Sequence, residues 1–151
     1  MAEEQVVVFH LGKEEYGVPI RQVREIIQYQ GATKLPGTPG YFEGIVNLRG
    51  KVIPVIDLAG RFAVAGTKGQ RQALIIENGA ETFGVVVDAV SEVLRLADSA
   101  IEAVPAQTTG DRTYIRGIGK TGDRLLILLE LGKLVDRDEL ANWARQAEKT
   151  G

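Results

Sequence analysis

An all-β chain made of two similar halves, each a small barrel or sandwich, with one helix at its C-terminal end, is the fold class this sequence predicts. Three observations carry that expectation. The second half repeats the first in two blocks that keep their order and the register of their glycines. Short runs of branched or aliphatic residues (VVVF, ALIIE, GVVV, LLILLEL) recur between Gly, Asn and Asp, the pattern of strands joined by tight turns. A length of 151 residues, with 44% hydrophobic and 25% charged side chains, suits a globular body with a real core.

The repeat sets the organisation. FHLGKEEYGVPIRQVREII (9–27) aligns with IENGAETFGVVVDAVSEVL (76–94) at an offset of 67, and six of the 19 positions are identical. Among the pairs are Gly17/Gly84, Val23/Val90 and Glu25/Glu92. FEGIVNLRGKVIPVIDL (42–58) aligns with IRGIGKTGDRLLILLEL (115–131) at an offset of 73, pairing Gly44 with Gly117, Lys51 with Arg124 and Pro54 with Ile127. One duplication of about 70 residues indicates two similar subdomains rather than a solenoid. Their expected bounds are about 6–68 and 69–135. A half this small is marginal alone, so the two must pack together along a seam.

Taken in order, the elements follow from local chemistry. Turns are expected at Leu11-Gly12-Lys13, Arg49-Gly50, Asn78-Gly79 and Gly122-Asp123, each between strand-like runs. IRQVREII and VDAVSEVL carry apolar residues at helical spacing, and each reads as a single helical turn leading into a strand. GRFAVAGTKGQRQ (60–72) reads as an exposed loop between the halves. Pro54 lacks an N–H, so its strand should be an edge or bulged there, while Ile127 can donate, so the halves should differ at that point. DRDELANWARQAEK (136–149) reads as a helix, with Asp136 and Glu139 at capping-box spacing and Leu140, Trp143, Ala144 and Ala147 on one apolar stripe. Trp143 is the expected anchor of that helix on the body.

Several function classes find little support. A net charge of −2 gives no basic field for nucleic acid or an anionic membrane. There is no cysteine, hence no disulfide, thiolate metal site or cysteine nucleophile. The start, MAEEQVVVFHLG, is acidic and is not read as a signal peptide, and no apolar run reaches the ~20 residues that span a bilayer. A cytoplasmic protein without direct membrane contact is expected. Gly44 to Gly50-Lys51 and Gly119-Lys120-Thr121 both miss phosphate-loop spacing, and strand-like runs follow them. His10 is the sole histidine, and Ser91 and Ser99 lie outside any nucleophile motif. No catalysis, cofactor or metal is expected. What remains is protein binding, with Arg49 on a short stiff turn able to meet a carboxylate in bidentate fashion, or a turn with solvated charges.

The spaced pattern Phe42, Gly44, Asn47, Arg49-Gly50, Pro54, Asp57-Leu58 resembles the signature of the CheW family of bacterial chemotaxis scaffolds. Tyr16-Gly17-Val18, Val23 and Glu25 resemble the preceding block, and Gly84–Asp88 and Asp123–Leu128 the later ones, so the likeness runs over about residues 6–135. It implies one CheW-like domain of two five-stranded SH3-like barrels side by side. It also implies a non-catalytic adaptor with two partners: the cytoplasmic tip of a transmembrane chemoreceptor and the regulatory domain of the histidine kinase CheA.

Carried over by motif, the receptor-binding positions are Val23, Glu25, Gly44, Arg49, Val90 and Val93. Val23 and Val90 are equivalent in the repeat, so two-fold-like packing would bring them to one seam that could hold a helical hairpin. The kinase contact is expected on the second barrel, without assigned residues. A ligand-sensing module that uses the seam for a small molecule is the alternative, disfavoured by the lack of converging polar groups near Val23 and Val90.

Overall fold

The computed structural model describes residues 2–66, 69–79, 81–104 and 114–134, together with Asp138, Glu139, Asn142, Trp143 and Arg145. The first half contributes β1 (Glu3–Leu11), β2 (Glu14–Pro19), β3 (Val23–Tyr29), β4 (Phe42–Leu48), β5 (Lys51–Asp57) and the short helix α1 (Leu58–Phe62). The second contributes β6 (Arg71–Asn78), β7 (Glu81–Val87), β8 (Ala89–Ala97), β9 (Ile101–Glu102), β10 (Ile115–Thr121) and β11 (Arg124–Leu129). The all-β architecture stands as expected. The connection at 60–72 differs at its ends, because α1 occupies residues 60–62 and β6 begins at Arg71.

The strands form two mixed sheets, ordered β8-β1-β2-β11-β10-β9 and β3-β6-β7-β5-β4. Under the repeat, β1, β2 and β3 correspond to β6, β7 and β8, and β4 and β5 to β10 and β11. The two orders are then the same, with one exchange. The hairpin β1–β2 of the first half lies in the sheet of β8, β10 and β11, and the hairpin β6–β7 lies in the sheet of β3, β4 and β5. The boundary near residue 68 is therefore not where the hydrogen-bonded sheets divide. Each sheet holds strands from both sides of it.

The exchange follows from strand geometry. β2 meets β11 in parallel at Gly17↔Leu128, and β7 meets β5 in parallel at Gly84↔Val55. A Cβ on Gly17 would stand 3.1 Å from Leu128 Cδ2, and one on Gly84 3.2 Å from Val55 Cγ2. These paired glycines let each borrowed hairpin lie close against its host sheet.

Pro54 behaves as its chemistry requires, although its strand lies between β4 and β7 rather than at an edge. The β5–β7 ladder begins only at Val55, whereas the equivalent β11–β2 ladder includes Ile127↔Tyr16. The bulge sits in the partner strand, between Phe42 and Gly44.

Side-chain alternation divides the core. Val6, Val8, Leu96, Leu126 and Leu128 fill one side of the first sheet. Val7, Phe9, Leu11, Tyr16 and Val18 point the other way and join Phe42, Ile56, Leu74, Ile76, Phe83, Val85 and Val87 of the second sheet in one shared core. This shared core is the seam required by two small halves.

Trp143 is 4% exposed and packs on Phe42 with ring centroids 4.3 Å apart, the anchoring role expected of it. The five described residues of its segment are helical. Asp136, Leu140, Ala144 and Ala147, named for the cap and the stripe, lie outside the described residues.

The helical-turn expectation splits. Ile20–Gln22 forms a 3-10 turn leading into β3. The equivalent VDAVSEVL has none: a bend at Asp88 leads directly into β8, and a 3-10 turn follows only at Asp98–Ala100.

Candidate functional site

The turn between β4 and β5 has its register set by Leu48↔Lys51, with Arg49 and Gly50 at φ 53° and 84°. Two central residues with positive φ make this the primed turn that matches strand twist in a two-residue hairpin. Asn47 Oδ1 accepts the Gly50 N–H at 2.8 Å. "NLRGK" is thus a hairpin tip, and no helix follows it that could face a phosphate.

Arg49 reaches the edge strand β3 at the other side of its sheet. Its Nη1 and Nη2 donate to Glu25 Oε2 and Oε1 at 2.5 and 2.8 Å, a bidentate ion pair. β3 and β4 are opposite edges in the strand order, so this contact records a sheet curled until its edges meet. A second contact ties β4 to the segment that follows β3. Thr33 N–H donates to Ile45 O at 2.9 Å, and Ile45 N–H donates to Thr33 O at 2.8 Å. Gly44 makes this crossing possible: it is buried, has φ 142°, and a Cβ there would lie 2.2 Å from Thr33 O. Its counterpart Gly117 admits β9 in the same way, with a virtual Cβ 2.7 Å from Glu102 O.

The valines take their orientation from bulges. Val23 pairs with Ile76, but Glu25 pairs with Ile75, leaving Arg24 as the extra residue. The second half repeats this: Val90 pairs with Phe9 and Glu92 with Val8, with Ser91 extra. Without the bulge, residues two apart would share a face. With it, Val23 follows Ile76 toward the shared core, while Glu25 follows Ile75 and meets Arg49 at the rim. Val23 and Val90 both pack, half-buried, against that one core. Val93, paired with Val7, lies on the same side of β8 and is 49% exposed. β3 and β8 are both edge strands.

The six residues named from sequence thus fall into three situations. Glu25 and Arg49 are joined to each other. Val23, Val90 and Val93 line the shared-core side of the two edge strands. Gly44 lies behind the Arg49 hairpin as a backbone crossing point. What sequence reading missed is the direct Glu25–Arg49 pair, since strand order and sheet curl are needed to bring positions 24 residues apart together. It also missed the bond that the Gly50 N–H donates to Asn47, for which Asn three residues before Gly at a turn was the available signal.

The electrostatics of the pair are asymmetric. The Arg49 side chain is 72% exposed, and that of Glu25 is 19% exposed. The hydrogen bonds from Arg49 hold the Glu25 carboxyl below the usual glutamate range, against the opposing effect of desolvation. A guanidinium has five N–H donors. Glu25 takes two of them, which leaves three on a side chain that is 72% exposed.

The first sheet, β8-β1-β2-β11-β10-β9, builds a related but more saturated cluster. Arg124 donates to Glu15 at 2.7 and 3.3 Å and to Glu92 at 2.9 Å. Bonding to Arg124 lowers the Glu15 pKa. Two carboxylates share that guanidinium, which leaves it less able than Arg49 to take a third.

Two clefts open elsewhere. One of about 550 Å³ lies between β3 and β4 and includes Ile27, Tyr29 and Val46. Another of about 530 Å³ lies beside the β1–β2 turn, with Leu11, Tyr16 and Val64. Neither is lined by Val23, Val90 or Val93. Among the described residues, no helix is long and apolar enough to cross a membrane.

The CheW-like domain family matches residues 5–139. The chemotaxis protein CheW of Klebsiella aerogenes is 38% identical over 141 residues, covering 91% of this chain and 85% of the relative. That of Helicobacter pylori is 32% identical over 136 residues, covering 89% and 82%. The crystal structure of the scaffolding protein CheW from Thermoanaerobacter tengcongensis superposes with a TM-score of 0.83 at 40% identity, covering 90% of each chain. Two like-ordered mixed sheets and matches of this extent place the chain in the CheW family, the non-catalytic scaffold proteins of chemotaxis.

Proposed function

We propose that this chain is a cytoplasmic adaptor that joins the tip of a chemoreceptor to the regulatory domain of the histidine kinase CheA. The receptor tip is read as a helical hairpin lying along the edge strands β3 and β8. Its apolar residues would meet Val23, Val90 and Val93, and an acidic residue would meet Arg49. Membrane recruitment would come through the receptor. The observation that carries this reading is Arg49: a guanidinium on a stiff turn, anchored by Glu25 yet 72% exposed, is prepared for a second carboxylate at little entropic cost. The half-buried valines supply an apolar strip beside it, as a helix-in-groove contact needs.

The kinase contact is assigned to the second barrel, so that both partners can be held at once. One experiment tests both halves of the proposal. Isotope-labelled protein is titrated with a receptor tip fragment and, separately, with the kinase regulatory domain. The receptor titration is expected to perturb residues around Val23, Arg49, Val90 and Val93, and Arg49→Ala to weaken it without unfolding the chain. Unchanged receptor affinity in folded Arg49→Ala would remove the receptor reading. Kinase-induced shifts confined to residues 23–58 would remove the second-barrel assignment.

A further inference from the structure

The hairpin that carries Arg49 differs from its relatives in this fold. Four hairpins among the described residues have two-residue turns: Leu11↔Glu14, Leu48↔Lys51, Asn78↔Glu81 and Thr121↔Arg124. In three of them the first turn residue is a glycine, at φ 61° for Gly12, 65° for Gly79 and 60° for Gly122. In the fourth it is Arg49, at φ 53°. A side chain in the left-handed region crowds its own backbone, which is why glycine, asparagine and aspartate dominate this position. Local strain of this kind persists only where surrounding contacts impose it.

Two contacts impose it here. One is the ion pair to Glu25, which acts on the end of a long flexible side chain. The other acts on the turn backbone itself, where the Gly50 N–H donates to Asn47 Oδ1 at 2.8 Å. Asn47 is exposed, so it is not a core residue, and its oxygen is the bonded partner of the amide immediately after Arg49.

We propose that Asn47 is a positioning residue for partner recognition: its carboxamide oxygen holds the Leu48–Lys51 turn in the geometry that carries the Arg49 guanidinium to Glu25 and leaves its remaining donors facing a partner carboxylate. The inference rests on the reading of Arg49 as a receptor contact, and it adds a residue that acts only through Arg49. Aspartate in place of Asn47 keeps an acceptor oxygen at the same position, whereas alanine removes it.

The test uses the full chain and a receptor tip fragment, with Asn47→Ala, Asn47→Asp, Arg49→Gly and the double variant N47A/R49G. Asn47→Ala is expected to weaken tip binding roughly five-fold, the equivalent of one hydrogen bond. In the unbound protein it should also move the Glu25 carboxyl titration up toward the ordinary glutamate range, because a wandering turn loosens the ion pair. Asn47→Asp should restore both. In the Arg49→Gly background, Asn47→Ala should cost no further affinity, an outcome that a purely structural role for Asn47 would not produce.

Full tip affinity and an unmoved Glu25 titration in Asn47→Ala, alongside weakened binding by Arg49→Gly, would overturn this inference alone. Undiminished binding by Arg49→Gly would instead overturn the reading on which it rests.

Discussion

Gly44→Ala separates a residue that touches a partner from one that builds the surface a partner touches. At this position φ is 142°, and the added Cβ would sit 2.2 Å from Thr33 O and 2.6 Å from Thr33 C. A tolerable approach is at least 3.2 Å or so, so the Thr33 backbone must withdraw by about 1 Å or Gly44 must leave its conformation. Either movement breaks the reciprocal Thr33–Ile45 bonds, at about 0.5–1.5 kcal/mol each. Backbone strain adds about 1–3 kcal/mol, for a total of about 2–6 kcal/mol.

Gly117→Ala is the internal control. Its virtual Cβ stands 2.7 Å from Glu102 O, and no positive φ is involved, so the loss should be smaller. Urea unfolding followed by the fluorescence of Trp143, which packs on neighbouring Phe42, reads both variants in one assay. Any receptor-binding defect of Gly44→Ala should come with this loss of stability and with altered amide shifts at Thr33 and Ile45. A Gly44→Ala protein of unchanged stability that nonetheless fails to bind the receptor tip would refute the steric argument and make Gly44 a direct contact.

Three further outcomes are expected. Because Arg49 depresses the Glu25 pKa, the stability this carboxylate contributes is fully present above its unfolded-state pKa and is lost as pH falls through the depressed folded value. Carboxyl NMR should show Glu25 titrating below ordinary glutamates in the native protein and returning to the ordinary glutamate range in Arg49→Gly. Arg49→Gly should unfold at nearly the same urea midpoint as the native chain, since it relieves a strained turn while deleting an exposed ion pair, so a large drop would contradict the strain assigned to this turn. Trp143→Ala removes a side chain only 4% exposed that packs against Phe42 in a tilted ring contact. It should cost about 3 kcal/mol by denaturant titration, with β-sheet circular dichroism retained.

What the sequence determined alone was everything that local chemistry writes into adjacent residues. The alternation of VVVF and GVVV, the glycines at positions 12, 79 and 122 and the "LRGK" turn announce strands and hairpins because strand period and positive φ are local demands. The duplication announced twin subdomains with a seam, because matched glycines and apolar positions imply matched folds. The spaced motif from Phe42 to Leu58 pointed to the family, and with it to the candidate residues.

Three features required the tertiary structure. The exchange of hairpins β1–β2 and β6–β7 between sheets leaves every local pattern unchanged, since a strand is equally satisfied by either neighbour until the parallel contacts Gly17↔Leu128 and Gly84↔Val55 choose one. The bulges at Arg24 and Ser91 reverse which face follows Val23 and Val90, a one-residue matter of pairing register that side-chain pattern does not encode. The meeting of Glu25 with Arg49 depends on a sheet curled until the turn after its last strand reaches its first. Contacts between chain-distant residues follow from how closely whole strands can approach, and that is a property of the packed body rather than of any segment.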